Sequence, residues 1–252
     1  MSDTTHSDED ELETVLEIEN LSKSYTNSDG SVEEVLEDID LTIQQGDFVC
    51  LLGQSGCGKS TLLKCVAGLT SPDTGTIKVD RDSIGYVFQE DRLLDWLTVE
   101  ENIRLVLESK GVPESERQER IERYLDLVGL SDTAEMYPMQ LSGGMKQRVS
   151  IVRALAIEPD ILLLDEPFSA LDEITARNLR ERFLEMIWEL NQTVLFVTHN
   201  ASEAAFLSTD IVILDSTAPS YLSKEMTNPL DYPRDIDSEA ILDLQKEIVS
   251  YI

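Results

Sequence analysis

Gly53-Gln54-Ser55-Gly56-Cys57-Gly58-Lys59-Ser60 fits the phosphate-binding pattern G-x-x-x-x-G-K-[ST] at every fixed position. Its chemistry follows from its atoms. Glycines let the backbone curl so that consecutive N–H groups point inward at phosphate oxygens. A helix starting at Lys59-Ser60-Thr61 adds partial positive charge at its N-terminus. Lys59 then reaches the β- and γ-phosphates, and the Ser60 hydroxyl ligates Mg²⁺. Residues 53–61 are therefore candidate nucleotide contacts. Cys57 lies inside this loop, so a thiol reagent is expected to inhibit the protein and bound ATP to protect it.

Asp165 and Glu166 form a second site of chemistry at the end of the apolar run Ile161-Leu162-Leu163-Leu164. A strand tip beside a phosphate loop is where Mg²⁺ is held, and Asp165 suits that task directly or through water. Glu166 leaves the strand on the other side and suits the attacking water as base or orienting group. A third feature is Leu141-Ser142-Gly143-Gly144-Met145-Lys146-Gln147-Arg148. Ser142 is a natural N-cap, and two glycines leave the helix end bare for an anion. One nucleotide already has its helix terminus at Gly58-Lys59. A second terminus implies a second anion or a second molecule.

The elements that must position these residues can be read from periodicity. Phe48-Val49-Cys50-Leu51-Leu52 reads as a buried strand feeding the loop, and Thr61 to Ala67 as the helix behind it. Ile161 to Leu164, Val194 to Val197 and Ile211 to Leu214 are short continuous apolar runs, which suit parallel strands covered on both faces. Val15 to Ile18 and Leu36 to Ile43 alternate apolar and acidic residues, as a half-exposed antiparallel sheet does. Asn27-Ser28-Asp29-Gly30 and Ser71-Pro72-Asp73-Thr74-Gly75 read as turns. Pro113 starts a helix with an apolar stripe at Ile121, Tyr124, Leu125 and Val128, and Leu179, Phe183, Met186, Ile187 and Leu190 form another. The predicted fold is α/β: a P-loop NTPase core with a mixed, mainly parallel sheet, an N-terminal antiparallel β subdomain and an inserted α-helical subdomain. The expected organisation is a disordered acidic tail at 1–13, an ATPase domain at 14–236 with its helical part at about 92–158, and a C-terminal helix at 237–252.

Composition bounds the function. The chain has 252 residues, 41% of them hydrophobic, with a formal net charge of -30 from 50 acidic and 20 basic residues. Phosphate backbones need a basic footprint, so nucleic acid is not an expected partner. No run approaches the roughly 18 apolar residues of a membrane span, and the N-terminus lacks the regions of a signal peptide. Cys50, Cys57 and Cys65 are odd in number and lack paired spacing, which fits a reducing compartment. A charge this large repels itself unless salt screens it, and the acidity reads as adaptation to a very salty cytoplasm, the alternative being an ordinary acidic protein.

In order and spacing these motifs resemble the nucleotide-binding subunits of ABC transporters, over about residues 15 to 235. Leu141 to Gly144 matches the segment that defines that family. The resemblance implies that Tyr25 stacks on adenine, and that Gln89 reaches Mg²⁺ and the attacking water. It implies that Ser169-Ala170-Leu171-Asp172 joins two active sites and that His199 contacts the γ-phosphate. It also implies two copies facing head to tail, each ATP lying between Lys59 of one and Ser142-Gly143-Gly144 of the other. Within the family, Gly85 to Val99, with Leu93-Leu94-Asp95-Trp96 after the glutamine, resembles the nitrate/sulfonate/taurine importer branch. Met145 and Tyr232-Pro233-Arg234-Asp235 fit that branch too, while Gly75 to Ile84 is short and Ala218-Pro219-Ser220 lacks its Pro-Gly step. The implied partners are a transmembrane permease and, indirectly, an extracytoplasmic solute-binding protein, with the chain on the cytoplasmic face of the membrane. Glu90 to Ile103 would line the groove for a permease helix, Trp96 anchoring there or packing inside the helical lobe. The alternatives are a soluble ABC ATPase without a transport role, of the iron–sulfur assembly kind, and a P-loop kinase or GTPase. The last would have no use for Leu141 to Gly144 and would need a guanine-specific N-K-x-D, which the chain lacks.

Overall fold

The structure is a computed structural model that describes residues 13–215 and 218–252. The expected acidic tail falls outside the described residues except for Glu13, whose carbonyl accepts a hydrogen bond from Gln45 N–H at 2.8 Å.

Two sheets share the chain. β1 (Thr14–Thr26), β2 (Val32–Gln44) and β4 (Thr74–Lys78) form an antiparallel sheet in the order β2-β1-β4. β3 (Phe48–Leu52), β5 (Ile84–Val87), β6 (Ile161–Asp165), β7 (Thr193–Thr198), β8 (Asp210–Leu214) and β9 (Leu222–Thr227) form a larger one in the order β5-β6-β7-β3-β8-β9. Its first five strands are parallel, and β9 closes the edge antiparallel to β8. A parallel bridge from Leu36 to Ser220 links the small sheet to the segment before β9.

The continuous apolar runs become strands buried on both faces because successive side chains point to opposite sides. Phe48, Cys50 and Leu52 face a core with Leu162, Leu164, Val194 and Phe196, covered by helices. Val49 and Leu51 face a second core with Leu163, Leu195 and Val197, covered by α1 (Lys59–Val66) and the small sheet. The helical side is made by α2 (Val99–Ser109), α3 (Glu114–Leu127), α4 (Gly143–Leu155), α5 (Glu173–Leu190), α6 (Ala201–Leu207) and α7 (Glu239–Val249). The first apolar stripe buries as read, at Ile121, Tyr124, Leu125 and Val128; in the second, Leu179, Phe183, Met186 and Ile187 are buried while Leu190, in the last turn of α5, is only partly buried. The C-terminal helix is shorter than its predicted span, with Ser238 accepting from Ile241 N–H as its N-cap.

The predicted turn at Ser71 to Gly75 is corrected, because Thr74 and Gly75 already belong to β4. Asp73 makes the corner instead, its carboxylate accepting from Lys23 Nζ, Ser24 N–H and Ser24 Oγ, each at 2.7 Å. Gly75 serves close approach: at φ +85, a Cβ there would lie 2.5 Å from the carbonyl oxygen of Asn20.

Candidate nucleotide site

The carboxyl ends of β3, β6 and β7 lie side by side, and each hands the chain to a loop that carries chemistry. This is where an open α/β sheet binds its ligand. Behind β3, Gly56 and Gly58 take φ of +87 and +97, the left-handed backbone that a phosphate cradle needs. Leu36 and Val35 press on Gly58 from behind: a Cβ there would meet them at 2.8 and 2.9 Å. The small sheet therefore supports the phosphate loop directly.

Lys59 is 4% exposed. Its Nζ donates to the carbonyls of Gly53 and Gln54, both at 2.8 Å, and among the described residues its nearest carboxylate oxygen is Glu166 Oε1 at 3.9 Å. A buried ammonium held by carbonyls and one distant carboxylate suits a further anion. Ser60 Oγ donates to Asp165 Oδ1 at 2.7 Å, and Tyr86 Oη donates to Asp165 Oδ2 at 3.4 Å. Burial and the Asp165 charge push the Tyr86 phenol far up, so Tyr86 stays a neutral donor. The Ser60 hydroxyl and the Asp165 carboxylate are hard oxygen donors. That set fits Mg²⁺, which takes one or two carboxylates and completes its shell with phosphate and water.

Glu166 turns away from Asp165 because its backbone is left-handed, φ 45. A non-glycine residue there costs about 1–3 kcal/mol and persists only where neighbours fix it. The neighbours are Glu166 N–H to Val197 O at 3.0 Å, and Phe168, buried in edge contact with Phe183 at 5.9 Å. The turn brings Glu166 Oε2 to 3.1 Å from His199 Nδ1, at the end of β7. His199 is not a core histidine, since its side chain is 54% exposed. Gln89 joins through Ser169: Gln89 Nε2 donates to Ser169 Oγ at 3.4 Å, and Ser169 Oγ donates to Glu166 O at 2.9 Å.

Lys59, Ser60, Gln89, Asp165, Glu166 and His199 thus form one cluster. Ser142, Gly143, Gly144 and Asp172 lie elsewhere. Ser142 caps α4 by accepting from Met145 N–H at 3.3 Å, and Asp172 caps α5 by accepting from Thr175 N–H at 3.1 Å. A Cβ on Gly144 would come within 2.6 Å of Thr175 Cγ2, so the glycine lets the two helix starts touch. Among the described residues no hydrogen bond or ion pair joins residues 142–144 to residues 53–60. Tyr25 is 41% exposed on β1, with Lys23 Nζ 5.3 Å from its ring centroid.

Two expectations change. Cys57 does not face the phosphate side. It is 6% exposed, packed in the second core, and burial pushes its thiol up despite the nearby Lys59. Trp96 does not pack inside the helical lobe; it is 72% exposed. Tyr86, Thr198, Arg180 and Glu203 were missed in the sequence. Tyr86 gave a weak signal, since it precedes Gln89 on the strand next to β6. Arg180 and Glu203 gave none, because helical charges usually face water.

A sheet with this strand order, a phosphate loop at its central tip and a carboxylate pair beside it define a P-loop ATPase, and the Leu141 to Gly144 helix start narrows the class to ATP-binding cassettes. The chain belongs to the ABC transporter family, whose sequence profile matches residues 36–169. The aliphatic sulfonates import ATP-binding protein SsuB of Bacillus cereus is 43% identical over 242 residues, 92% of this chain and 93% of that protein. The bicarbonate transport ATP-binding protein CmpD of Synechocystis sp. is 43% identical over 231 residues, 88% of this chain and 82% of that one. Among solved structures, the ATP-binding cassette MJ0796, a dimer in a post-hydrolysis state bound to ADP and Pi, superposes with a TM-score of 0.75 at 31% identity. That match covers 86% of this chain and 100% of the other.

Proposed function

We propose that this chain is the ATP-hydrolysing subunit of an importer for a small anion, acting as a pair of identical copies on a separate membrane permease. The observation that carries the hydrolytic part is the junction of Lys59, Asp165, Glu166 and His199 at three adjacent strand tips. Ser60, Asp165 and Gln89 would hold Mg²⁺, which supplies neutralisation of charge on the β- and γ-phosphates when bound with the nucleotide. Lys59 exchanges its carbonyl partners for phosphate oxygens. Glu166 orients the attacking water and takes its proton. His199, already within hydrogen-bonding distance of Glu166, contacts the γ-phosphate.

Residues 142–144 stand apart from residues 53–60 in one copy, which supports their use on the partner's nucleotide. The two copies then close on ATP and part after hydrolysis. Tyr25 is open to stack on adenine. The importer reading is supported by relatives named for aliphatic sulfonates and for bicarbonate, both small anions. An iron–sulfur assembly role has no such support. Among the described residues no helix is long and apolar enough to cross a membrane, so the permease is a separate chain in this reading. Exposed Trp96 offers its cytoplasmic helix an anchor, as aromatics often do at interfaces. A solute receptor outside the cell and a salt-rich cytoplasm complete the proposal.

Glu166→Gln tests it. ATP binding is expected to persist, turnover to fall about 10²- to 10⁴-fold, and an ATP-dependent dimer to elute on size exclusion. Normal turnover in this variant would overturn the assignment.

A further inference from the structure

An ionic chain, buried at Arg180 and Glu203 and open to solvent at Glu173, lies between two of the loops just described. The 169–172 loop runs into α5, and His199 runs into α6. Arg180, on α5, is 1% exposed. Its Nη2 donates to Glu173 Oε1 at 2.5 Å, beside the Asp172 cap. Its Nη1 lies 3.6 Å from Glu203 Oε1, on α6. Glu203 Oε2 accepts from Thr198 Oγ1 at 2.6 Å, and Thr198 Oγ1 in turn accepts from Asn200 N–H at 3.0 Å. Thr198 and Asn200 flank His199. An unbroken line of charged and polar contacts therefore runs from the start of α5, through the core, to both sides of the histidine.

A buried pair of this kind adds little net stability over an apolar replacement of the same shape. Directional contacts do what an apolar replacement cannot: they fix the spacing and rotation of the two helix starts. We propose that Arg180 and Glu203 are positioning residues that hold the 169–172 loop and His199 as one rigid unit, so that the loops change state together during the ATP cycle. Neither touches the reacting atoms. The proposal rests on the reading of His199 as the γ-phosphate contact.

The test compares wild type with Arg180→Met/Glu203→Leu, which replaces the pair by apolar side chains, and with Glu203→Gln, which keeps the acceptor for Thr198. In the double variant kcat is expected to fall about 10- to 100-fold with Tm and ATP Kd unchanged, since a misplacement of about 1 Å far from the chemistry can cost 10²-fold. Hydrogen exchange should rise at residues 169–172 and 199–201 while the α5 core stays protected. If the double variant folds poorly, Glu203→Gln carries the same readouts. Wild-type kcat in a folded variant would overturn the proposal, as would exchange rising throughout α5 and α6, the mark of a purely structural role. His199→Ala separates the premise: wild-type turnover there would remove the histidine reading and this proposal with it. Lost turnover there with unchanged kcat in the paired variant would remove this proposal alone.

Discussion

Cys57 shows how much one side chain's direction decides. Its backbone belongs to the phosphate loop, while its Sγ sits 3.9 Å from Lys59 Nζ on the buried side. The thiolate is the nucleophile, and burial disfavours it. Iodoacetamide at neutral pH is therefore expected to label Cys57 slowly, with or without ATP, as read by intact mass. Rapid labelling that ATP blocks would show that the thiol faces the nucleotide after all. Other residues were more legible. That Asp165 and Glu166 point to different sides is read from the strand end, and their contacts with Ser60 and His199 show the two side chains apart. The left-handed backbone that aims Glu166 was not legible, because it depends on Val197 and Phe168 holding the turn. Arg180 and Glu203 were invisible for a related reason: a buried charge can be read only when its partner, remote in sequence, is known.

At the level of elements, apolar runs and caps carried most of the information. Thr98 and Glu101 form a reciprocal capping box at the start of α2, a helix not singled out in the sequence. β3, β6, β7 and β8 were legible because both faces are apolar. β1 and β2 were seen only in part. Each runs for 13 residues, but register shifts between Ile18 and Leu21 and around Lys23 break the alternation that periodicity relies on. Asn20 and Asp38, at φ 50 and 47, sit at such irregularities. β4 was partly hidden because Gly75 reads as turn chemistry until its approach to Asn20 is known. The pairing order of the larger sheet was not readable at all, since β3 finds β7 and β8 across more than a hundred residues.

Across the whole molecule, packing leaves the charge unbalanced. A net charge of -30 places like charges across the surface, and the partly exposed pairs that Arg104, Arg117 and Arg120 make on α2 and α3 offset only a part. At 1 M salt the Debye length is about 3 Å, which removes most repulsion between neighbouring surface carboxylates. Tm is therefore expected to rise steeply from dilute buffer to molar KCl. Equal Tm in both would mean that the acidity carries no such dependence. The chain has two tryptophans, and they differ in setting. Trp188 stacks on Tyr232 with ring centroids 4.9 Å apart, whereas Trp96 stands in solvent. Because Trp96 is exposed, its emission is expected to be that of a hydrated indole, and to move to shorter wavelength if a permease helix covers it as proposed. On the proposed docking Trp96 would serve as a built-in optical gauge, and Trp96→Phe supplies the blank.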